Sequence, residues 1–143
     1  MALLIDDKHI NTINTLSEQT FPDECCGFLL GETTDDGKIV RATHWVENER
    51  EDKQRYHRFL ITPDVYMKTE KVAREKGLDI IGFFHSHPDA PAKPSEYDAE
   101  HAWPWYSYAI VSVRNGKAAE LTSWVMADDR SQFNKEAIVR QKV

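Results

Sequence analysis

Apolar and polar positions change period several times along the chain, and the changes mark its elements. From Asp6 to about Gln19, Ile10, Ile13 and Leu16 recur near helical spacing, which predicts an amphipathic helix with Asp6 as its N-cap. Pro22 stops it, having no N–H to donate to a further turn. Glu24 to about Gly31 and Ile39 to Val46 read as strands, separated by a turn at Asp36-Gly37, and Tyr56 to Ile61 as a short third strand. Thr62-Pro63-Asp64 combines a capping side chain with proline at the first helical position. The helix it opens places Val65, Thr69, Val72 and Lys76 on one face, anchored by Val65 and Val72, and Gly77 is its stop.

Asp79 to Pro88 begins as a continuous apolar run, the mark of a strand covered on both faces. Ser95 to Ala102 reads as a short helix, broken before Pro104. Tyr106 to Val113 and Lys117 to Met126 read as strands joined by a hairpin turn at Asn115-Gly116. The tail from Ser131 to Val143 shows no decisive period. Helices interleaved with several strands give an α/β (α+β) fold class, with layers of helix against sheet.

Composition narrows the picture. A chain of 143 residues favours one domain, residues 1–143, and 41% hydrophobic with 29% charged residues is the balance of a soluble globular protein. The net charge of −6 disfavours general nucleic-acid binding, because a negative protein gains little from a phosphate backbone. The apolar run after Met1 is too short for a signal peptide, and no stretch approaches the ~20 residues of a membrane helix. A cytoplasmic location is the default expectation. Cys25 and Cys26 are adjacent, point to opposite faces of a strand, and read as reduced thiols in the core rather than a disulfide or nucleophiles. Glu47 to Arg58 is densely charged without apolar periodicity, as expected of a solvated loop.

The candidate chemistry lies at the end of the apolar strand. His85 and His87 are two apart, so they share a strand face and aim two imidazoles at one point. Pro88 ends the strand, and the following loop lets Asp98 bring a carboxylate to the same place. Two histidines and one carboxylate leave a fourth tetrahedral position open, as in a catalytic zinc site. Plainer readings exist for each part. His-x-His pairs occur on strands without metal, Ser95-x-x-Asp98 fits an ordinary capping box, and a glutamate such as Glu24 at a strand start is commonly just solvated. Trp103, Trp105 and Tyr106 read as core or groove-wall residues.

The sequence His85-Ser86-His87, seven residues, Ser95, two residues, Asp98 resembles the JAMM (MPN-plus) metalloprotease motif. The upstream block Pro22-Asp-Glu24-Cys-Cys-Gly-Phe-Leu-Leu-Gly31 resembles the first strand of that family. The resemblance implies one Zn2+ held by His85, His87 and Asp98, with Glu24 as general base and Ser95 as hydrogen-bond donor to the oxyanion. It implies a mixed β-sheet flanked by helices, similar to the cytidine deaminase layout.

The chain looks like the compact prokaryotic branch of the family, similar to peptidases acting on sulfur carriers of the ThiS/MoaD type. The implied substrate is therefore an amide or isopeptide bond after the Gly-Gly tail of a ubiquitin-like or sulfur-carrier protein. The tail could add to a sheet edge. Alternatives are a non-catalytic MPN-type scaffold and a hydrolase of the DNA-repair-associated branch. A zinc deaminase is disfavoured, because its His-x-Glu and Pro-Cys-x-x-Cys elements are missing. Oligomeric state is not readable from the sequence.

Overall fold

A computed structural model of the chain describes residues 2–46 and 62–141. The expected strand Tyr56 to Ile61 and the charged stretch Glu47 to Arg58 lie outside the described residues. The elements are β1 (Ala2–Ile5), α1 (Asp7–Thr20), β2 (Cys26–Thr34), β3 (Gly37–Val46), α2 (Pro63–Glu75), β4 (Asp79–Pro88), α3 (Glu96–His101), β5 (Ser107–Arg114), β6 (Lys117–Met126), β7 (Phe133–Glu136) and β8 (Ile138–Arg140). The strands form one sheet of order β7-β6-β5-β4-β2-β3-β1-β8. It is mixed: β4 runs parallel to β5 and antiparallel to β2, while β1 is parallel to both β3 and β8. The α/β class with a mixed sheet flanked by helices is therefore observed.

Local signals set several boundaries. The Asp6 carboxylate accepts from the His9 N–H at 2.9 Å, and the Thr62 hydroxyl accepts from Val65 N–H at 3.3 Å, the two expected N-caps. Gly77 takes φ +69°, the left-handed conformation that ends α2. The buried face of α2 differs from expectation. Thr69 and Ala73 are its buried residues, with Val65 and Tyr66 packed alongside, whereas Lys76 is exposed. Val65 and Thr69 lie inward as the spacing placed them, and Val72 is only partly buried.

Four strands also differ from expectation. Ala2–Ile5 forms β1 between β3 and β8, and the undecided tail supplies β7 and β8 at opposite edges of the sheet. β2 starts at Cys26, so Glu24 lies in the segment before the strand.

The sheet separates two cores. One, under α1, contains Ile10, Ile13, Leu29, Ile81, Phe84 and Val111. The other, under α2, contains Phe28, Leu30, Ala73, Phe83 and Tyr108. Phe28 and Phe84 are fully buried, and burying side chains of this size contributes about 1.5–3 kcal/mol each. A Cβ on Gly27 would lie 2.3 Å from the Phe84 ring and 2.6 Å from the His44 carbonyl, so that position holds only a glycine.

A β-bulge at Ile81 sets the phase of β4. Leu29 pairs with Gly82 and Leu30 with Ile80, leaving Ile81 as the extra residue. Ile80 and Phe83 consequently both face the α2 core, while Ile81 and Phe84 face the α1 core. Beyond the bulge regular alternation resumes, placing His85 and His87 on the Phe83 side of the sheet.

Candidate metal centre

The two imidazoles and the Asp98 carboxylate converge as the spacing suggested. His85 Nε2 lies 3.2 Å from His87 Nε2 and 3.3 Å from Asp98 Oδ2, and His87 Nε2 lies 3.2 Å from the same oxygen. A tetrahedral zinc ion with bonds of about 2.0–2.1 Å keeps its donor atoms about 3.3–3.4 Å apart. The three atoms therefore form one face of such a tetrahedron, and the residues fit zinc. All three side chains are buried: His85 is 1% exposed, His87 8% and Asp98 8%.

Glu24 is buried too, at 1% exposure, so its reading as a solvated strand-start residue is corrected. Its carboxylate and one nitrogen from each of His85 and His87 all lie within 4.8 Å of one another. The adjoining backbone places it. Cys26 pairs with His85 across β2 and β4. The Cys25 N–H donates to the Ser86 hydroxyl at 2.7 Å, and the Ser86 N–H donates to the Cys25 carbonyl at 3.0 Å. Ser86, between the two histidines, thus ties the segment after Glu24 to the ligand strand. The sequence contained no signal for that tie, because it joins residues 61 positions apart.

Asp98 joins a helix cap and a candidate ligand position on one oxygen. Its Oδ2, which faces both imidazoles, also accepts from the Ser95 N–H at 2.8 Å, while the Asp98 N–H donates to the Ser95 hydroxyl at 3.1 Å. The capping box and the ligand position coexist because a carboxylate oxygen carries two lone pairs. Capping uses only a lone pair of the Ser95 oxygen, so its O–H proton can still be donated. Ser95 is exposed.

The charges support one another. Burial works against ionised Asp98, but the neighbouring His85 and His87 outweigh it and hold the carboxyl well below the usual range. Burial likewise opposes charge on His87, and the Asp98 carboxylate reverses this, raising the imidazole above its ordinary value. The site thus favours an anionic carboxylate facing a cation.

From His85 and Asp98 a groove of about 700 Å³ opens toward α2. Phe83, Tyr66, Met67, Trp103, Tyr106 and Tyr108 form much of its lining. Trp103 and Tyr106 are groove-wall residues, as one of the expected alternatives had it, whereas Trp105 does not line the groove. The wall is fixed at several points. The Tyr66 and Tyr106 hydroxyls are 2.9 Å apart, and Tyr108 accepts from the Trp103 N–H at 2.9 Å. Burial pushes the Tyr108 phenol up to about 12, with the Trp103 N–H bond opposing. Arg130 donates to the Ala102 carbonyl just after α3 and lies 5.7 Å from the Trp103 ring centre.

Beneath the wall, Lys38 is only 2% exposed. Its ammonium donates to the Trp105 carbonyl and to the Ser107 hydroxyl at 3.2 Å, and lies 4.8 Å from the Trp105 ring centre. Ser107 and Ser123 both donate to Glu136, at 2.7 and 2.8 Å. Trp105 has φ +80°, an unusual conformation for so bulky a residue. This buried polar cluster holds it there.

Cys25 and Cys26 are buried and reduced, as expected. Burial pushes the Cys25 thiol up to about 11. The thiolate is the reactive form, and a thiol raised in this way carries little of it at pH 8. Iodoacetamide at pH 8 is expected to leave the folded chain unlabelled and to modify both cysteines after denaturation. Rapid labelling of Cys25 in the folded protein, read by peptide mass, would contradict its burial.

Fold and site together define a JAB-type metalloprotein domain, and the comparisons agree. Residues 6–127 match the family of prokaryotic homologs of the JAB domain. The chain belongs to that family. It is 37% identical over 93 residues to a desampylase from Haloferax volcanii, a match spanning 64% of this chain and 63% of the relative. The match therefore covers slightly less than two thirds of that relative's length. A solution structure of a protein from Salinibacter ruber is 43% identical with a TM-score of 0.76, covering 99% of this chain and 92% of that one. Another, from Desulfitobacterium hafniense, is 26% identical with a TM-score of 0.85, covering 99% and 94%. Among the described residues, no helix is long and apolar enough to cross a membrane.

Proposed function

We propose that the chain is a zinc metallopeptidase that hydrolyses an amide or isopeptide bond after the C-terminal tail of a ubiquitin-like modifier or sulfur-carrier protein. The observation that carries this reading is the triangle of His85 Nε2, His87 Nε2 and Asp98 Oδ2, with edges of 3.2–3.3 Å and the Glu24 carboxylate buried beside it. A scaffold would not need three buried ligand groups at zinc spacing. Desampylase relatives act on ubiquitin-like modifiers, which supports a substrate of that class.

Zinc bound by His85, His87 and Asp98 supplies a Lewis acid and water of pKa near 7. Glu24 takes a proton from the attacking water and returns it to the leaving amine, working as base and then as acid. Its burial keeps bulk water from competing for that proton. Ser95 donates its O–H to the oxyanion that develops on the scissile carbonyl. The Phe83–Tyr108 side of the groove receives the extended tail. β4 is flanked on both sides by β5 and β2, and the open edges of the described sheet are β7 and β8.

The test uses purified, zinc-loaded protein and small carriers ending in Gly-Gly, extended by cysteine or joined to a lysine side chain. Mass spectrometry is expected to show release after the second glycine. Cleavage of the lysine conjugate alone would exclude the sulfur-carrier substrate and keep the modifier. No product from any of several carriers would sink the reading.

A further inference from the structure

The loop between Pro88 and Ser95 connects the two histidines to Asp98, and it is pinned in an unusual way. Three consecutive backbone carbonyls in it each accept a side-chain hydrogen bond. The Ser112 hydroxyl donates to Ala90 O at 2.6 Å, His87 Nδ1 donates to Pro91 O at 2.9 Å, and the Thr122 hydroxyl donates to Ala92 O at 2.6 Å. Ser112 lies beside His87 in the β4–β5 register, and Thr122 of β6 pairs with Ile110 of β5. Both hydroxyls are buried, Ser112 at 2% and Thr122 at 5% exposure. Trp124 Nε1 donates to Thr122 Oγ at 2.9 Å, which fixes the direction in which the threonine proton points. At the start of the loop, Asp89 N–H donates to the Val113 carbonyl at 2.6 Å, and Asp89 Oδ1 accepts from the Asn115 N–H at 2.9 Å.

The central carbonyl of the three is the one that matters to the metal centre. A bond from His87 Nδ1–H to Pro91 O places the ring proton on Nδ1 and leaves the Nε2 lone pair toward His85 and Asp98. The carbonyls on either side are held by residues from two other strands, so the Pro91 oxygen cannot swing away from the ring without breaking a buried bond. A buried hydroxyl is not needed for packing at these positions, where alanine or valine would satisfy the sheet at lower desolvation cost.

We propose that Ser112 and Thr122 are positioning residues for the metal centre, acting through the Ala90–Ala92 carbonyls to hold His87 in its ligating tautomer and orientation. Neither touches the donor atoms. The proposal rests on the zinc-site reading above. Partners of this kind typically contribute 10–100-fold to metal affinity.

The experiment measures zinc affinity by chelator competition for wild type, Thr122→Val, Thr122→Ser and Ser112→Ala, with circular dichroism to follow folding. Wild type is expected to bind one zinc ion. Thr122→Val and Ser112→Ala should each weaken binding about tenfold, and Thr122→Ser, which keeps the hydroxyl, should stay within about threefold of wild type on the same scale. A purely structural role would lower thermal stability in all variants without separating valine from serine in zinc affinity. In the zinc-loaded wild type, proton–nitrogen correlation spectra should show a slowly exchanging Nδ1–H on His87, and this signal should broaden or vanish in the folded Thr122→Val or Ser112→Ala protein.

Unchanged zinc affinity in folded Thr122→Val and Ser112→Ala would overturn the proposal while leaving the zinc site standing. Should the valine variant not fold, Ser112→Ala and the wild-type spectrum decide it, and a fast-exchanging His87 ring proton in wild type counts against it. Failure of wild type itself to bind zinc would remove both the zinc site and this proposal.

Discussion

Glu24→Gln is expected to retain zinc and to lose turnover by at least about a hundredfold, the lower end of the range for general acid–base catalysis. The substitution keeps the size of the side chain and its place before β2, so the ligand triangle should be undisturbed. What it removes is the capacity to hold a proton. The amide cannot accept one from water or return it to an amine, so both halves of the transfer fail together. The loss should therefore appear in kcat, with KM nearly unchanged, since the groove aromatics proposed to receive the tail are elsewhere. Activity within a fewfold of wild type would remove Glu24 from the mechanism. Loss of zinc would instead show Glu24 to be a ligand, which its distance of under 4.8 Å from the two histidine nitrogens permits.

Asp98→Asn is expected to weaken zinc binding by more than the roughly hundredfold that marks the upper range for an outer partner. It removes the only anionic member of the triangle. The amide oxygen can still accept from the Ser95 N–H, so the capping box and α3 should persist. Zinc affinity and helix stability should thus separate: chelator competition should show a large loss while the circular dichroism spectrum remains that of wild type. Excess zinc should restore part of the activity. An Asp98→Asn protein that binds zinc as wild type does would exclude Asp98 as a ligand.

These predictions draw on residues that were readable to different degrees. His85 and His87 were legible because two positions on a strand share a face, and the apolar run before them ended in a proline. Asp98 was legible only through its motif spacing, since a capping box explains the same residues without metal. The burial of Glu24 was invisible, because it depends on Ser86 meeting Cys25 across 61 positions. The bulge at Ile81 was equally hidden. Nothing in the run Ile80-Ile81-Gly82-Phe83-Phe84 states which residue is left without a pairing partner. β1, β7 and β8 were missed because strands of three or four residues carry too little pattern and exist only through distant neighbours. On α2 the spacing placed Val65 and Thr69 inward correctly but missed Ala73 and ran the face on to Lys76, which is exposed.

The corner at Trp105 has a consequence for how this protein can diverge. Its carbonyl and ring are held by Lys38, and through Ser107 the same cluster reaches Glu136 near the far edge of the sheet. Changing Trp105 or Lys38 disturbs the groove wall and four strands at once. Trp103 and Met67, by contrast, stand at the groove rim with 64% and 66% exposure. An exchange at either rim side chain leaves this buried cluster in place, whereas an exchange within the corner disturbs all of its members together.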